Sequence, residues 1–175
     1  LLTREEDDRA MERLASTDAL TGVSNRRHFL LRAEEEFGRS RRHGLPLAFL
    51  MLDLDRFKEV NDQHGHAVGD EVLRAAAQRM GAALRTEDLL GRVGGEEFAV
   101  LLLHTDPDGA MLAAERLRQG VAELRVAARE GEVRITTSIG VAQLSPGDAT
   151  IEDTMRRADA ALYAAKKAGR DCACS

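Results

Sequence analysis

The sequence predicts one α/β (α+β) domain in which helices cover a largely antiparallel sheet. Three observations predict this fold class. Segments with helical periodicity alternate with apolar strands in the order helix, strand, helix, hairpin, helix, strand, helix. A length of 175 residues suits a single domain. A hydrophobic share of 43% beside 31% charged residues is typical of a soluble globular chain.

The first part of the chain is predicted to contain two helices and a central strand. Residues 1–15 are highly charged, so we expect a weakly amphipathic connector helix before a folded domain at residues 16–175. A second helix is expected from Arg26 to about Arg42, and Gly44 ends it. Leu47–Asp55 is apolar on both alternating faces until its last residues, which predicts a central strand covered on both sides.

The rest of the chain is predicted to form a helix, a hairpin, a helix, a strand and a helix. After a polar stretch, apolar residues recur at steps of three and four from Val72 to Leu84, which indicates the first of these helices. Gly94-Gly95 predicts a tight two-residue turn in the hairpin. The other predicted elements are Leu89–Val93, Glu97–Leu103, Asp106–Leu124, Arg134–Ala142 and Thr150–Gly169.

The composition excludes several classes of function. A net charge of -5 and an aromatic share of 3%, without tryptophan, argue against nucleic-acid binding. We find no apolar run long enough to span a bilayer and no signal peptide. We therefore expect a cytoplasmic domain, which could belong to a longer, membrane-bound parent protein. The spacing of Cys172 and Cys174 is neither that of a redox pair nor that of a zinc site.

Two acidic segments could meet at one cation. Asp53 and Asp55 end the apolar strand on one face, where like charges repel unless a cation lies between them. The same two acids would also be expected if Asp55 capped the next helix and Asp53 were solvated, and the sequence favours neither interpretation. Glu96 and Glu97 follow the glycine turn, and one of them would meet Asp53 if the hairpin lies beside the strand. For the hairpin alone, an ordinary polar turn is the alternative.

Several other polar residues are candidates for nucleotide binding. Asn61 offers both a donor and an acceptor, and Asp70 can accept two hydrogen bonds from adjacent N–H groups, which guanine presents. Each could instead be a cap or a turn residue. Lys58, Lys166 and Arg170 could bind a triphosphate, although the last two could simply complement a helix dipole. The sequence contains no P-loop, dinucleotide-binding or nucleophile-elbow pattern.

Six blocks of residues stand in order along the chain: Asp18–Gly22 with Asn25–Arg27, Asp53–Lys58, Asn61–Asp70, Arg92–Phe98, Thr137–Val141, and Asp159–Tyr163 with Lys166, Gly169 and Arg170. Together they resemble the GGDEF domain of the diguanylate cyclase family. The resemblance implies a fold like the palm of nucleotidyl cyclases and polymerases, with a five-stranded sheet surrounded by helices. It also implies that two GTP molecules condense into cyclic di-GMP with release of pyrophosphate. Arg92–Phe98 corresponds to the family signature in its GGEEF form.

The resemblance implies a role for individual residues as well. Glu96 would help deprotonate the attacking hydroxyl, with Glu97 close by, and Lys58 would stabilise the transition state. The implied ligands of Mg²⁺ or Mn²⁺ are Asp53, the Leu54 carbonyl, Glu96 and Glu97. The implied substrate-binding residues are Phe57, Lys58, Asn61, Asp70, Lys166 and Arg170.

Regulation and assembly follow from the same resemblance. Arg85 and Asp88 form an RxxD motif at the position where many family members bind the product as an inhibitor; a charged helix end is the alternative. Because each domain would hold one GTP, activity would need a two-fold homodimer. An upstream sensory domain is expected in the full-length protein. The alternative function is a catalytically silent module that binds GTP or cyclic di-GMP as a signalling receptor. A third possibility is a mononucleotide cyclase, whose product would differ in mass from cyclic di-GMP.

Overall fold

The computed structural model describes residues 3–175 and has a five-stranded sheet surrounded by helices. The first two positions of the expected connector helix, Leu1 and Leu2, lie outside the described residues. The helices are α1 Arg4–Ser16, α2 Arg26–His43, α3 Phe57–His64, α4 His66–Ala82, α5 Pro107–Ala122 and α6 Ile151–Lys167. The strands are β1 Leu47–Leu54, β2 Leu89–Arg92, β3 Glu97–Leu103, β4 Val126–Ala128, β5 Gly131–Val133, β6 Thr137–Gln143 and β7 Ala173–Cys174.

The strands of the main sheet lie in the order β2-β3-β1-β6-β7. All neighbours are antiparallel except β6 and β7, which are parallel. The predicted α+β class and the largely antiparallel five-stranded sheet are therefore confirmed. Within the described residues, no helix has both the length and the apolar character required to cross a membrane.

Strand β1 is the centre of the molecule, and both of its faces are buried as predicted. Leu47, Phe49 and Met51 pack into a core that includes residues of α2 and α6. Leu50 and Leu52 pack on the opposite face, into a core that includes residues of α3, α4 and α5. The side chains alternate because successive residues of a strand point to opposite faces. The end of β1 is consequently fixed by helices on both sides.

The polar stretch that follows β1 is more ordered than the sequence suggested. It forms α3 and the start of α4, and Gly65 separates the two helices at a φ of 85°. Phe57 and Val60 are the buried residues of α3. Two apolar positions in eight residues are too few for a clear periodic signal, although they suffice to attach the helix to the core.

The hairpin that carries the glycines also differs from the prediction. Its loop has four residues, Val93–Glu96, because β2 ends at Arg92 and β3 begins at Glu97. The Glu97 carbonyl accepts hydrogen bonds from the N–H groups of Val93 (2.9 Å) and Gly94 (3.2 Å). The Glu96 carbonyl accepts from the Leu54 N–H at 3.1 Å, so this residue is bound to β1 rather than to β2. The loop is thus held against the end of the central strand.

Helix α6 crosses β6 unusually closely at Gly140. A Cβ atom at this position would lie 2.1 Å from the Ala158 carbonyl oxygen and 2.2 Å from the Leu162 nitrogen. Both neighbours are helix backbone, which cannot rotate away as a side chain can. The absence of a side chain at Gly140 therefore determines how close α6, and the polar residues at its end, can come to the sheet.

Candidate functional site

The acidic end of β1 and the acidic hairpin lie side by side. Asp53 of β1 is paired with Glu97 of β3 in the antiparallel register. Side chains of directly opposite residues project from the same face of a sheet, so these two carboxylates share one face. Leu54 is bonded to Glu96 through the backbone. Residues that are more than forty positions apart in sequence are thereby brought to one place.

This acidic site carries more negative charge than its one bound cation offsets. Asp53 is buried, and its Oδ2 accepts a hydrogen bond of 2.7 Å from Lys166 Nζ. The pKa of Glu97 is raised, first because burial disfavours its charged form and then because of the nearby charges of Asp53, Glu96 and Asp159; Lys166 acts in the opposite direction. A further cation would stabilise this cluster of carboxylates.

The donor set fits a hard divalent cation, although no complete cage is preformed. Across residues 3–175, no group of three or more Asp, Glu, His or Cys side chains is arranged to hold a metal ion. Mg²⁺ typically uses one or two protein carboxylates and completes its shell with waters and substrate phosphates. Asp53, Glu96 and Glu97, with the Leu54 carbonyl, are suitable oxygen donors. The ammonium group of Lys166 already occupies one cation position beside Asp53.

Asp55 behaves differently from its neighbour two residues earlier. Its carboxylate accepts hydrogen bonds from Ser138 Oγ (2.6 Å), Thr136 Oγ1 (2.7 Å) and the Asp171 N–H (3.0 Å). These three donors stabilise the carboxylate, and none of them is the Lys166 ammonium group that contacts Asp53. The alternative prediction for this strand end is that Asp55 caps the next helix and that Asp53 is solvated. Both parts are wrong, because Arg56 is the N-cap residue of α3 and Asp53 is buried.

A cleft of about 450 Å³ lies beside the hairpin loop. Most of the predicted nucleotide-binding residues line it together with Glu96. Lys166 and Arg170 do not line this cleft. The lining residues are Phe57, Lys58, Asn61, His66, Asp70, Leu73, Arg92, Gly95 and Glu96.

The position of Asn61 in the cleft depends on Gly69. A Cβ atom at Gly69 would lie 1.9 Å from Asn61 Oδ1, so any other residue would displace the amide group. Gly69 lies in the first turn of α4, one residue before Asp70. The close contact between α3 and α4 therefore sets the relative position of the two residues that were predicted to bind guanine.

Arg170 lies in a separate cleft on the other side of α3. This cleft is also lined by Asp55, Arg56 and Asp171. The backbone of Arg170 is left-handed, with a φ of 66°, where the chain leaves α6 and turns towards β7. The structure thus separates Arg170 from Lys58, whereas it brings Lys166 to the acidic site.

Sequence reasoning assigned no role to the arginines that hold the hairpin loop. Arg92 donates from Nε (3.1 Å) and Nη2 (2.7 Å) to the Gly95 carbonyl, and its Nη1 lies 3.3 Å from the Asp18 carboxylate. Arg26 Nη1 donates to the Val93 carbonyl at 2.8 Å. Both arginines belong to blocks that carry the family resemblance, so the sequence did mark their positions. Their function could be found only from the contacts of the folded chain.

Arg85 and Asp88, the RxxD residues, line a third cleft. Arg85 binds both oxygens of Asp88, and its Nη2 also donates to the Leu103 carbonyl (2.6 Å) and to Thr105 Oγ1 (2.8 Å). A cleft of about 400 Å³ beside this pair is also lined by His104 and Arg116. Arg85 is therefore partly engaged in structural contacts. The cleft carries charges of both signs, because Asp88 and Asp106 line it together with Arg85 and Arg116.

Comparison with known proteins gives the family. The family model described as "Diguanylate cyclase, GGDEF domain" matches residues 15–172, and the chain belongs to this family. The probable diguanylate cyclase DgcC of Escherichia coli is 39% identical over 166 residues, which are 95% of this chain and 44% of DgcC. The response regulator PleD of Caulobacter vibrioides is 39% identical over 94% of this chain and 36% of its own length. The chain thus spans less than half the length of these two relatives.

Solved structures agree with this assignment. The diguanylate cyclase SiaD from Pseudomonas aeruginosa, solved with its activator SiaC, superposes with a TM-score of 0.89 at 43% identity, over 97% of this chain and 65% of that chain. The GGDEF domain of DgcB from Caulobacter crescentus, solved in complex with c-di-GMP, has a TM-score of 0.87 at 33% identity, over 91% of this chain and 92% of that chain. Proteins of the same fold and family thus include named diguanylate cyclases.

Proposed function

We propose that this chain is the catalytic domain of a diguanylate cyclase, which condenses two GTP molecules into cyclic di-GMP and releases pyrophosphate. The observation that carries the proposal is the pairing of Asp53 with Glu97 beside a cleft that contains Lys58, Asn61 and Asp70. An acidic site whose charge is only partly offset, next to a nucleotide-sized cleft, suits a reaction at a phosphate. Relatives that are named diguanylate cyclases support the same reaction.

The cleft would recognise one GTP through its base. Asp70 can accept two hydrogen bonds from the adjacent N–H groups of guanine, and Asn61 can both donate and accept. Phe57 lines the same cleft and adds apolar surface. Adenine lacks this pair of adjacent donors, so the arrangement favours GTP over ATP.

The reaction needs positioning and charge compensation rather than a nucleophile from the protein, because the 3′-hydroxyl of GTP is the nucleophile. Glu96 faces the cleft and would accept the proton of that hydroxyl. Lys58 would offset negative charge on the α-phosphate in the transition state. Bound Mg²⁺ or Mn²⁺ would polarise the phosphate oxygens. Asp53, the Leu54 carbonyl, Glu96 and Glu97 would hold it.

The product requires two active sites to face each other. One domain holds one GTP, and each 3′-hydroxyl must attack the α-phosphate of the other molecule, so the two domains would be related by a two-fold axis. We therefore propose an obligatory homodimer, at least during turnover. A sensory domain outside this chain would control how often the two domains meet.

The direct test is product analysis of the purified chain with GTP and Mg²⁺. We expect a product with the mass of cyclic di-GMP, pyrophosphate in twofold molar ratio to it, and loss of both when Glu96 is changed to Ala. Intact GTP, despite dimers shown by sedimentation, would contradict the proposal and favour a signalling receptor. A product with the mass of cyclic GMP would indicate a mononucleotide cyclase.

Gly69→Ala is expected to weaken GTP binding without destabilising the fold. The new methyl group displaces Asn61 and also presses on the Phe57 ring, whose Cζ would lie 3.3 Å away. The loss of about one hydrogen bond to guanine should raise KM by about tenfold. Alanine is favoured over glycine in a helix by about 1 kcal/mol, so Tm should not fall. Steady-state kinetics and thermal unfolding measure the two effects.

Gly81→Ala is the matched control, because Gly81 lies in the same helix and a Cβ there would have only an ordinary contact with Leu90 at 3.9 Å. This variant should raise Tm and leave KM unchanged. If Gly69→Ala also left KM unchanged, Asn61 would not bind the base.

Product inhibition is the second proposed property, carried by Arg85 and Asp88. Arginine can pair with phosphate and stack on guanine, and Arg116 on the same cleft wall adds a second cation. We expect Arg85→Ala to raise the cyclic di-GMP concentration that halves the activity by at least about tenfold, since a charged hydrogen bond contributes about 1.5–3 kcal/mol. Initial rates measured against added product test this.

Arg32→Ala provides the control for that experiment. Arg32 forms an exposed ion pair with Glu35 on α2, and its side chain is 43% exposed, compared with 48% for Arg85. Its removal should leave the inhibition curve unchanged. An unchanged curve for Arg85→Ala as well would remove the inhibitory-site proposal.

A further inference from the structure

Lys166 lies at the junction between the buried acidic site and solvent. It belongs to the last turn of α6, and its Nζ is 2.7 Å from Asp53 Oδ2. The Lys166 side chain is 35% exposed, whereas that of Asp53 is 11% exposed. The carboxylate is thus fixed in the sheet, while the flexible four-carbon chain of the lysine can move its charge into solvent.

The site needs a cation at this position even before any ligand binds. A buried carboxylate without a counter-charge is strongly destabilising. Asp53 is paired with Glu97 in the strand register, and Glu96 and Asp159 add further negative charge nearby. Lys166 is the cation that contacts Asp53 in the described structure. It therefore offsets part of the negative charge of the acidic site in the free protein.

The lysine and a divalent metal would compete for the same carboxylate. An ammonium group and a dication that contact the same carboxylate would repel each other at a separation of a few ångströms. The ammonium group can leave at low cost, because it is already partly exposed to solvent. A triphosphate that arrives with the metal supplies the anion to which the displaced ammonium group would next bind.

We propose that Lys166 is an exchangeable cation: it occupies the metal position of Asp53 in the free protein and transfers to the nucleotide phosphates when the metal binds. This inference rests on the proposed function of the site. It makes metal and nucleotide binding interdependent, because the metal must compete with Lys166 until a nucleotide provides another partner. Lys166 consequently weakens the binding of the metal to the free protein and strengthens the binding of the nucleotide to the metal-bound protein.

The test uses Mn²⁺ as the metal and 3′-deoxy-GTP, which lacks the attacking hydroxyl, as the nucleotide. Free Mn²⁺ is measured by electron paramagnetic resonance during titration of the wild type and of Lys166→Gln. Without nucleotide, Lys166→Gln should bind Mn²⁺ about tenfold more tightly, because it loses the competing charge. With saturating Mn²⁺, the same variant should bind 3′-deoxy-GTP about tenfold or more weakly, because a charged phosphate contact is lost.

Two variants serve as controls. Lys167→Gln removes the next lysine of the helix, whose Nζ lies 4.9 Å from the centre of the Tyr163 ring, and should change neither affinity. Lys166→Arg keeps the cation and should keep Mn²⁺ binding close to that of the wild type. Circular dichroism checks that each variant is folded.

The results separate this inference from the proposed function. Unchanged or weaker Mn²⁺ binding by Lys166→Gln would overturn it, since Lys166 would then be a fixed structural partner of Asp53. Tighter Mn²⁺ binding by Lys166→Gln would support it even if the wild type made no cyclic di-GMP, because the titration requires no turnover. In that case only the proposed function would fail.

Discussion

We expect Asp53→Asn to abolish cyclic di-GMP synthesis while the domain stays folded. The expected loss of activity is at least about 10³-fold, because a metal contributes several kcal/mol of charge stabilisation and each 1.36 kcal/mol is a factor of ten. Asparagine has the same size as aspartate but lacks the charge that a divalent cation requires. Product formation over time, measured at saturating GTP and Mg²⁺, gives the loss directly.

The fold should tolerate this change because two effects oppose each other. The variant loses the ion pair with Lys166, whose side chain can turn to solvent, and it also loses the repulsion between Asp53 and Glu97. The pKa of Glu97 should fall relative to the wild type, although burial still holds it above its ordinary value. Nuclear magnetic resonance of the side-chain carboxyl group can follow this shift.

Asp148→Asn is the matched control for Asp53→Asn. Asp148 is likewise a buried acid paired with a basic side chain, Arg157, but it lies near the opposite end of α6. Its replacement should lower Tm, because Thr154 and the Ser145 N–H also bind this carboxylate, and should leave catalysis largely intact. Asp53→Asn could instead keep more than about a tenth of the wild-type rate. The charge of Asp53 would then lower the activation free energy by only about 1.4 kcal/mol or less, and the metal proposal would be wrong.

Gly140→Ala is expected to cause the largest loss of stability. Its Cβ atom would overlap backbone atoms of Ala158 and Leu162, so α6 must move away from β6 as a unit. Overpacking of this kind typically costs about 1–3 kcal/mol, and we expect the upper end because no neighbouring side chain can yield. In a domain of this size, about 3 kcal/mol corresponds to a fall in Tm of about 6–12 °C.

The same variant should lose activity even where it remains folded, because α6 carries Lys166. Thermal unfolding and the rate at 15 °C separate the two effects. Gly38→Ala is the control: a Cβ at Gly38, within α2, would meet no atom within 4 Å, so alanine should stabilise the helix by up to about 1 kcal/mol. An unchanged Tm for Gly140→Ala would show that α6 does not pack against β6 at this point.

The sequence predicted the parts of the molecule that depend on local patterns. The apolar run of β1 required burial on both faces, and its acidic end indicated a charged site. The glycines of the hairpin indicated a turn, and the resemblance assigned Lys58, Asn61 and Asp70 to one ligand. The structure brings these three residues into one cleft, and the roles proposed for them await the experiments above.

Features that depend on contacts between distant segments could not be predicted. Asp55 receives its hydrogen bonds from Thr136, Ser138 and Asp171, which are at least 81 positions away in sequence, so no local pattern shows these contacts. The Lys166 contact with Asp53 spans 113 positions. The two-residue strand β7 and the short β4–β5 hairpin are too brief to show an apolar period. Only the folded chain reveals such pairings.

The central claim is that carboxylates from β1 and from the hairpin bind one divalent cation beside a bound GTP. Anomalous diffraction from crystals grown with Mn²⁺ and 3′-deoxy-GTP tests this claim most directly. The account predicts one manganese peak at about 2.1 Å from oxygens of both Asp53 and at least one of Glu96 and Glu97, next to a triphosphate. A peak bound by neither strand end, or a nucleotide bound with Lys166 still on Asp53 and no metal, would contradict it.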